Sequence, residues 1–310
     1  MPITWRRAVL NDVGPCLSLQ PLNRGDALPD VKSAIGPWQS VLSDPFFLSV
    51  VIEANPAIDT HHLVGFGAAV LVCPQFAASE AAAPRAYIAS RILASIDEGR
   101  SVLATREMVA KANARQGIEV MVLYNACRGH ILGPEERHGV RMAFVDSLVQ
   151  QLSGFRVSRI FAETTNEFME ALHRESPEYR VVAEQPDIGH VIHLMTRESA
   201  TASPGSVGNL IFASRKPVLK LRESDQELLL AALGGATDHE LALQLRTTLS
   251  AIKARWRSTF ARIADVMPDL IGENFRQEIR GNQKRHRVLA YVRSHMEELR
   301  PYNCAERSMK

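Results

Sequence analysis

The sequence lacks an apolar run long enough to cross a membrane. Its longest such run, Leu63 to Cys73, falls well short of the roughly 20 residues that a spanning helix needs. The short apolar run after Arg6 and Arg7 ends at Asn11, so no targeting signal is indicated. These absences predict a cytoplasmic protein without a membrane partner.

Cysteine is scarce and widely spaced. No two cysteines have the C-x-x-C spacing of a zinc site, and their scatter does not indicate a disulfide framework. The adjacent His61 and His62 would point apart on a strand or a helix, so we interpret them as loop residues rather than ligands. The sequence therefore predicts no metal site, and reduced thiols at Cys16, Cys73, Cys127 and Cys304.

Acidic residues are in excess in the first two thirds of the chain and basic residues in the last third. Residues 1–214 hold 18 Lys and Arg against 22 Asp and Glu, a net charge of −4. Residues 215–300 hold 16 against 11, a net charge of +5. This asymmetry suits a polyanion-binding module that follows a neutral or acidic one.

The length of 310 residues predicts two domains. Residues 198–217 are rich in Ser, Thr, Gly and Pro and have no sustained periodicity, which is typical of a linker. Before this linker, apolar runs of strand length alternate with helical patterns and predict a mixed α/β domain. After it the pattern is helical throughout.

The predicted strands of the first domain are short apolar runs, and the predicted helices lie mostly between them. The strands are Ile3 to Ala8, Leu63 to Cys73, Ile118 to Tyr124, Arg159 to Ala162, Tyr179 to Ala183 and Val191 to Met195. The helices are residues 37–42, 85–96, 105–115, 139–152 and 166–174.

After the linker, two short capped helices are predicted to precede a longer one. Ser224 and Thr237 are each followed three residues later by Glu, which is the spacing of a capping box, so each is expected to cap a helix. The helix that Thr237 caps is predicted to cover residues 238–245. After a tight turn, Thr248 is predicted to cap a third helix over residues 249–263.

The third helix has an apolar side and a basic side. At about 100° per residue, Ile252, Trp256 and Ile263 fall on one stripe, which is expected to pack against the other two helices. Lys253 and Arg257 fall on the opposite side. Since this helix and the turn before it hold five basic residues and no acidic one, the basic side suits the major groove of DNA.

The same segment carries a spaced set of motifs. These are LRESDQELLL from Leu221, GATDHELA from Gly235, and then Leu245, Thr248 and the pair Ile252-Lys253. The pattern covers about 43 residues without a gap and closely resembles the LuxR-type helix-turn-helix domain. The resemblance implies a four-helix DNA-binding fold whose third helix enters the major groove, usually as a dimer on a two-fold related site.

The resemblance also implies which residues contact DNA. The chain departs from the family at Ala251, where Thr is usual, and at Arg255, where His is usual. By position, the residues expected to face bases are Lys253, Ala254 and Arg257, and those expected near phosphates are Thr237, Thr248 and Ser250.

A further helix is predicted within residues 281–301, with Val288 and Val292 on its apolar side. We favour a bracing or dimerisation role for it. An auxiliary phosphate contact from the basic residues at its start, Lys284, Arg285 and Arg287, is the alternative.

The N-terminal elements follow a recognisable order as well. They are the strand at Ile3–Ala8, the strand LVGFGAAVLV from Leu63, a strand, loop and helix over residues 119–152, a strand from Ser158 and a helix over 168–174. This order is distantly similar to the GNAT acyltransferase fold over about residues 3–196, with a helical insertion near 85–115. The resemblance implies a loop before the long helix whose backbone N–H groups hold the cofactor pyrophosphate.

Residues 137–141 are predicted to correspond to that loop. Gly139 is one small residue of the kind that the family's loop contains, but Arg137 and Arg141 occupy positions where the family has small residues. No acetyl-CoA or other cofactor is therefore predicted. The two arginines could attract an anionic small molecule, and Glu163 could lie at a strand end facing a cleft. The predicted ligand site is therefore Arg137, Gly139, Arg141 and Glu163.

Together these patterns predict an α+β chain. Residues 1–197 form a mixed α/β, GNAT-like domain for sensing or dimerisation, and residues 198–217 form the linker. Residues 218–264 form an all-α LuxR-type helix-turn-helix domain, and residues 265–303 form a helical extension.

The leading prediction for function is a homodimeric transcription regulator that binds double-stranded DNA, responds to a small molecule and is not an enzyme. The first alternative is a GNAT-type acyltransferase with an appended DNA-binding module. The second is an interaction module whose C-terminal helices bind protein instead of DNA.

Overall fold

The structure, a computed structural model, describes residues 3–19, 31–54, 63–128, 132–165, 167–271 and 281–303. The chain divides into two compact units. The N-terminal unit comprises Met1–Met108, Ile118–Leu152 and Val157–Phe212, and the C-terminal unit comprises Val109–Gly117, Ser153–Arg156 and Ala213–Lys310. No helix within the described ranges has both the length and the apolar character needed to cross a membrane.

Seven strands of the N-terminal unit form one mixed sheet in the order β1-β2-β3-β4-β5-β7-β6. Neighbouring strands are antiparallel except for β4 and β5, which are parallel. The strands are β1 (Ile3–Arg6), β2 (Leu48–Ala54), β3 (Leu63–Val72), β4 (Ile118–Cys127), β5 (Val157–Thr164), β6 (Tyr179–Gln185) and β7 (His190–Thr196).

The prediction of a mixed α/β N-terminal domain is confirmed, but β2 was not among the predicted strands. Six of its seven residues are buried, so it lacks the alternation by which half-buried strands are usually recognised. β2 lies between β1 and β3, and it therefore belongs to the interior of the sheet.

Several helices begin away from their predicted starts. α6 begins five residues before the predicted start at Gly139, because Pro134 is favourable in the first turn of a helix. Pro37, the predicted start of a helix, lies inside α2. The helices before residue 213 are α1 (Val13–Leu17), α2 (Val31–Leu42), α3 (Pro74–Ala82), α4 (Ile88–Asp97), α5 (Arg106–Ala114), α6 (Pro134–Leu152), α7 (Glu167–Arg174), α8 (Arg197–Thr201) and α9 (Val207–Phe212).

The two faces of the sheet have separate cores. On the first face, Phe66 and Phe161 pack in one cluster with Ile92 of α4. On the second face, Ile52 packs with Phe144 of α6. Side chains alternate between the faces along each strand, so neighbouring strand residues contribute to different sites.

The segment predicted as a linker, residues 198–217, contains helical structure. α8 and α9 lie largely within it, and Ile211 and Phe212 of α9 are buried in the N-terminal unit. The apolar run of α9 explains why a segment of linker-like composition is nevertheless ordered here.

The C-terminal unit is helical, and its buried core includes Leu228, Ile252, Trp256 and Ile263. Its helices after the linker segment are α10 (Glu223–Ala232), α11 (Asp238–Gln244), α12 (Leu249–Val266), α13 (Pro268–Ile271) and α14 (Gly281–Ser294).

Two of the three predicted helix caps are present. The hydroxyls of Thr237 and Thr248 accept hydrogen bonds from the backbone N–H groups three residues later, as expected for N-caps. The predicted cap at Ser224 is wrong, because α10 begins at Glu223. Asp225 is the capping carboxylate instead, since it accepts the N–H of Arg222 at 3.1 Å.

Asp225 also joins α10 to α12. It is buried, and its carboxylate accepts the Thr259 hydroxyl at 2.8 Å and the Arg262 Nε–H at 2.9 Å. A buried carboxylate with these partners fixes the packing of the two helices, and loss of it would leave the partners unsatisfied.

We expect Asp225→Ala to destabilise the C-terminal unit by about 3 kcal/mol, since it breaks a buried ion pair and two further hydrogen bonds. Amide hydrogen exchange in peptides from α12 measures the loss locally. Asp265→Ala, at an exposed position of the same helix, serves as the matched control. Equal protection in both variants would contradict this account of the packing.

Candidate functional site

The parallel strands β4 and β5 separate before they end. Their ladder stops at the pair Val122 and Ala162, although β4 continues for five residues to Cys127 and β5 for two to Thr164. The register of β3 against β4 shifts beside this point, between Ala68 and Ala69. A split therefore opens in the sheet at the carboxyl ends of two parallel strands, which is where α/β sheets commonly bind ligands.

A glutamate and a histidine are paired beside the split. Glu163 is the first residue of β5 past the last pair with β4, and its Oε1 lies 2.6 Å from Nδ1 of His190 at the start of β7. The same carboxylate accepts the backbone N–H groups of Tyr87, at 2.6 Å, and Ile88, at 2.8 Å. These three contacts fix its orientation.

The backbone at Tyr87 makes this arrangement possible. Tyr87 has φ of 62°, in the left-handed region that non-glycine residues seldom adopt, and it directly precedes α4. Its ring lies over His190, with the ring centroids 4.5 Å apart. Strained backbone of this kind is frequent at functional sites.

The pairing with Glu163 determines which nitrogen of His190 is available. When Nδ1–H donates to the carboxylate, the other nitrogen, Nε2, carries a lone pair in the neutral ring. Nε2 is buried and has no hydrogen-bond partner among the described residues. A histidine oriented in this way has the geometry of a general base.

The other predicted ligand residues are inside α6 and not in a loop before it. Arg137 donates from Nε to the carbonyl of Leu132 at 2.9 Å, and Arg141 forms an ion pair with Glu175 at 2.8 Å. A side chain at Gly139 would come within 2.8 Å of Ile3, so this glycine permits close packing against β1. The structure therefore does not bring these three residues together with Glu163, which contacts α4 on the opposite face of the sheet.

The start of α6 is not suited to a diphosphate. Pro134 has no N–H to offer, and the N–H of Gly133 is already donated to the Glu136 carboxylate at 3.0 Å. Glu135 adds a second negative charge in the same turn. Since helix starts bind anions through free N–H groups and positive potential, the described residues here do not fit the pyrophosphate of coenzyme A.

A cavity of about 120 Å³ lies on the second face of the sheet. Val122 and Asn125 of β4 line it beside the split, and Phe144 and Leu148 of α6 cover it. His173, Ser176, Glu178 and Tyr179 form a polar end.

The polar end borders a cluster of aromatic rings. The ring centroids of His173 and His193 are 4.8 Å apart, and those of His173 and Tyr179 are 4.5 Å apart. Burial lowers the pKa of His193 to about 4, and the nearby His173 and Arg174 lower it further. Burial raises the pKa of Tyr179. Both His193 and Tyr179 are therefore uncharged near neutral pH.

In the C-terminal unit, the predicted DNA-facing side chains are all exposed. Thr248 and Ser250 lie at the start of α12, with their hydroxyl oxygens 3.0 Å apart. Lys253, Ala254 and Arg257 follow along the side of the helix opposite the buried Ile252 and Trp256. Thr237 lies separately at the start of α11, where its hydroxyl donates a hydrogen bond to the Glu240 carboxylate.

One predicted auxiliary phosphate contact is occupied within the fold. Arg285 of α14 donates to Asp238 at 2.9 Å, and its guanidinium lies 4.9 Å from the centroid of the Trp256 ring. This favours the bracing role of α14 over a role for Arg285 in contacting DNA.

Sequence reasoning found Glu163 but not His190, Tyr87 or the histidines of the cluster. The signal was the segment GHVIHLM, in which two histidines stand in an otherwise apolar strand. A buried histidine needs a partner, so a pair of them on one strand predicts polar neighbours on the adjoining strand.

The structure resembles solved acetyltransferases. An acetyltransferase from Thermus thermophilus is 12% identical and aligns over 63% of this chain and 97% of its own, with a TM-score of 0.35. A spermidine/spermine N-acetyltransferase from Vibrio cholerae is 10% identical over 63% of this chain and 92% of its own, with a TM-score of 0.33. An aminoglycoside acetyltransferase bound to coenzyme A and kanamycin is 14% identical over 65% of this chain and 98% of its own, with a TM-score of 0.34.

No protein-family model matches the chain, and no curated protein is found to be related to it. The LuxR-type assignment of the C-terminal helices thus stays a prediction from the sequence. The GNAT-like assignment of the N-terminal unit likewise stays a prediction from the sequence, and the structure itself gives a seven-stranded mixed sheet in which β4 and β5 separate.

The prediction that the protein is not an enzyme is contradicted by these neighbours, since the proteins named are acetyltransferases. The comparisons do not bear on DNA or a second copy of the chain as partners.

We expect His193→Gln to reduce the loss of stability in acid. His193 takes up a proton in the unfolded chain near its ordinary pKa of 6.5, but in the folded protein only near 4. Its contribution is therefore complete above about pH 6.5 and is lost as the pH falls toward about 4.

Urea denaturation measures the free energy of unfolding at about pH 7.5 and at about pH 4.5. We expect the loss of this free energy between the two pH values to be about 2 kcal/mol larger for the wild type than for the variant. His138→Gln, at an exposed position of α6, is the control. The same pH dependence in wild type and His193→Gln would contradict the burial of a neutral ring.

Proposed function

We propose that the N-terminal unit is a GNAT-type acyltransferase that moves an acyl group from a thioester to an amine or hydroxyl. The observation that carries the proposal is the Glu163–His190 pair beside the split between β4 and β5. The thioester arm lies in the split, between two strands that have already separated. The described start of α6 does not suit a diphosphate, so the donor is defined here by its thioester and not by the nucleotide of coenzyme A.

In this proposal His190 acts on the acceptor. Its Nε2 takes a proton from the attacking amine or hydroxyl while the new bond to the acyl carbon forms. The carbon–sulfur bond then breaks, the thiolate leaves, and the imidazolium returns the proton to it. Glu163 is a positioning residue, since it holds the ring in the required tautomer and stabilises the imidazolium.

Tyr87 controls access to this base. Its ring contacts that of His190 at a tilt of 53°, and Tyr87 is 36% exposed. An acceptor that reaches Nε2 displaces this ring toward solvent. Glu163 accepts the N–H of Ile88 at the start of α4, so the pair lies on the face of the sheet that α4 covers. The acceptor therefore approaches from that face.

We also propose that the C-terminal unit is an appended DNA-binding module of LuxR type. The specific support is the exposed side of α12, where Lys253 and Arg257 face solvent and no acidic residue occurs between Arg246 and Ile263. The small Ala254 between them allows the helix to approach a groove closely. The chain would bind as a homodimer, as the resemblance implies.

We expect His190→Gln to lower kcat/KM for acyl transfer by roughly 100-fold and to remove the rise of the rate with pH that a histidine base produces. Glu163→Gln should lower kcat and alter that pH profile. The assay follows thiol release from acetyl-CoA and from acyl N-acetylcysteamine thioesters, with a panel of primary amines that includes spermidine and kanamycin.

His138→Gln, exposed on α6, is the matched control for this assay. The proposal fails if no amine of the panel accelerates thiol release from any donor. It also fails if His190→Gln keeps the wild-type rate and pH profile.

For the DNA-binding module we expect Lys253→Ala and Arg257→Ala each to weaken binding to duplex DNA. Each should also flatten the slope of log K against log salt by up to about 1, because binding to a duplex without a specific site is electrostatic and each phosphate that a cation neutralises releases about 0.9 counterion. Fluorescence anisotropy with a random-sequence duplex measures both. Arg180→Ala, exposed on β6 of the N-terminal unit, is the control, and unchanged slopes in the first two variants would exclude this face as the DNA contact.

A further inference from the structure

The cavity on the second face of the sheet specifies the acyl group. We infer that it holds the chain of a medium-length acyl donor, with about five carbons beyond the thioester carbonyl. This rests on the proposed acyltransferase function and names the substrate class of the same site.

The cavity borders the split. Val122, the last residue of β4 in register with β5, lines it, and so does Asn125 in the part of β4 that has left β5. A thioester arm in the split would place its carbonyl between β4 and β5. The chain beyond that carbonyl would then enter the cavity without further rearrangement.

Most of the lining is apolar, and small residues of β3 make room for it. Ala69 pairs with Leu48 on one side and Val122 on the other, so the three side chains point to the same face. All three line the cavity, together with Phe144 and Leu148 of α6. A larger side chain at position 69 would occupy this space.

The size of the cavity sets the chain length. An apolar protein cavity of roughly 150 Å³ holds benzene, which has six carbons. The volume of about 120 Å³ is therefore suited to a chain of about five. An acetyl group would leave most of it empty, and an empty apolar cavity contributes no contacts to binding.

The polar end of the cavity limits longer chains. His173, Ser176, Glu178 and Tyr179 line it there. The Glu178 carboxylate accepts the N–H of Gly208 at 3.3 Å, so this wall is held in place and remains polar. A chain of ten carbons would press methylenes against these groups and desolvate them, which is unfavourable.

The test measures binding and transfer for acetyl, hexanoyl and decanoyl N-acetylcysteamine thioesters. Since each buried methylene strengthens binding about threefold to fourfold, hexanoyl should bind at least about tenfold more tightly than acetyl. Decanoyl should gain nothing over hexanoyl. Isothermal titration without an acceptor gives the affinities, and thiol release with an acceptor gives kcat/KM.

Two variants change the cavity in opposite directions. Ala69→Leu should fill it and remove the preference for hexanoyl over acetyl, whereas Leu148→Ala should enlarge it and shift the optimum to a longer chain. Ala78→Leu, which adds the same side chain at an exposed position of α3, is the matched control and should keep the wild-type preference. Thermal unfolding checks that each variant is folded.

The outcomes separate this inference from the function on which it rests. Equal affinity for acetyl and hexanoyl donors, or a preference that neither Ala69→Leu nor Leu148→Ala changes, overturns the acyl-chain site even when acetyl transfer occurs. Hexanoyl binding that depends on position 69, without transfer to any amine, supports the site and contradicts the acyltransferase proposal.

Discussion

The separation of β4 and β5 after Val122 and Ala162 is the constraint on which the N-terminal unit depends. Each strand stays paired with its outer neighbour beyond the point of separation. β4 keeps its ladder with β3 as far as Cys127, and β5 keeps its ladder with β7 as far as Thr164. The two strands therefore diverge while both outer ladders stay intact, so the opening is part of the folded state and does not have to be created by a ligand.

Successive side chains of β5 past the split point to opposite faces of the sheet and so enter two different chemical environments. Glu163 points to the first face, where α4 and His190 fix it, and Thr164 points to the second, where its hydroxyl lies 3.2 Å from Nε2 of His193. Only the first of these histidines is paired with a carboxylate. The first face thus offers a base for an acceptor, and the second offers a mostly apolar cavity for an apolar chain.

The local parts of the fold were predictable from the sequence, and the long-range parts were not. The caps at Thr237 and Thr248 and the two sides of α12 follow from spacing within one or two helical turns, so sequence alone located them. The pairing of Glu163 with His190 depends on strand order and could not be read from spacing. The misplaced loop at Arg137–Arg141 has a different, local origin, since the start of α6 is set by Pro134 and by Glu136, which accepts the N–H of Gly133.

The most direct test of the account is amide hydrogen exchange of the whole chain with and without hexanoyl N-acetylcysteamine thioester. An arm that lies in the split contacts the backbone of both strands, so exchange should slow in peptides covering residues 123–127 and 163–164 and remain unchanged in α12. Protection that is absent from both strand segments, or that occurs only elsewhere, would contradict the claim that the split is the donor site.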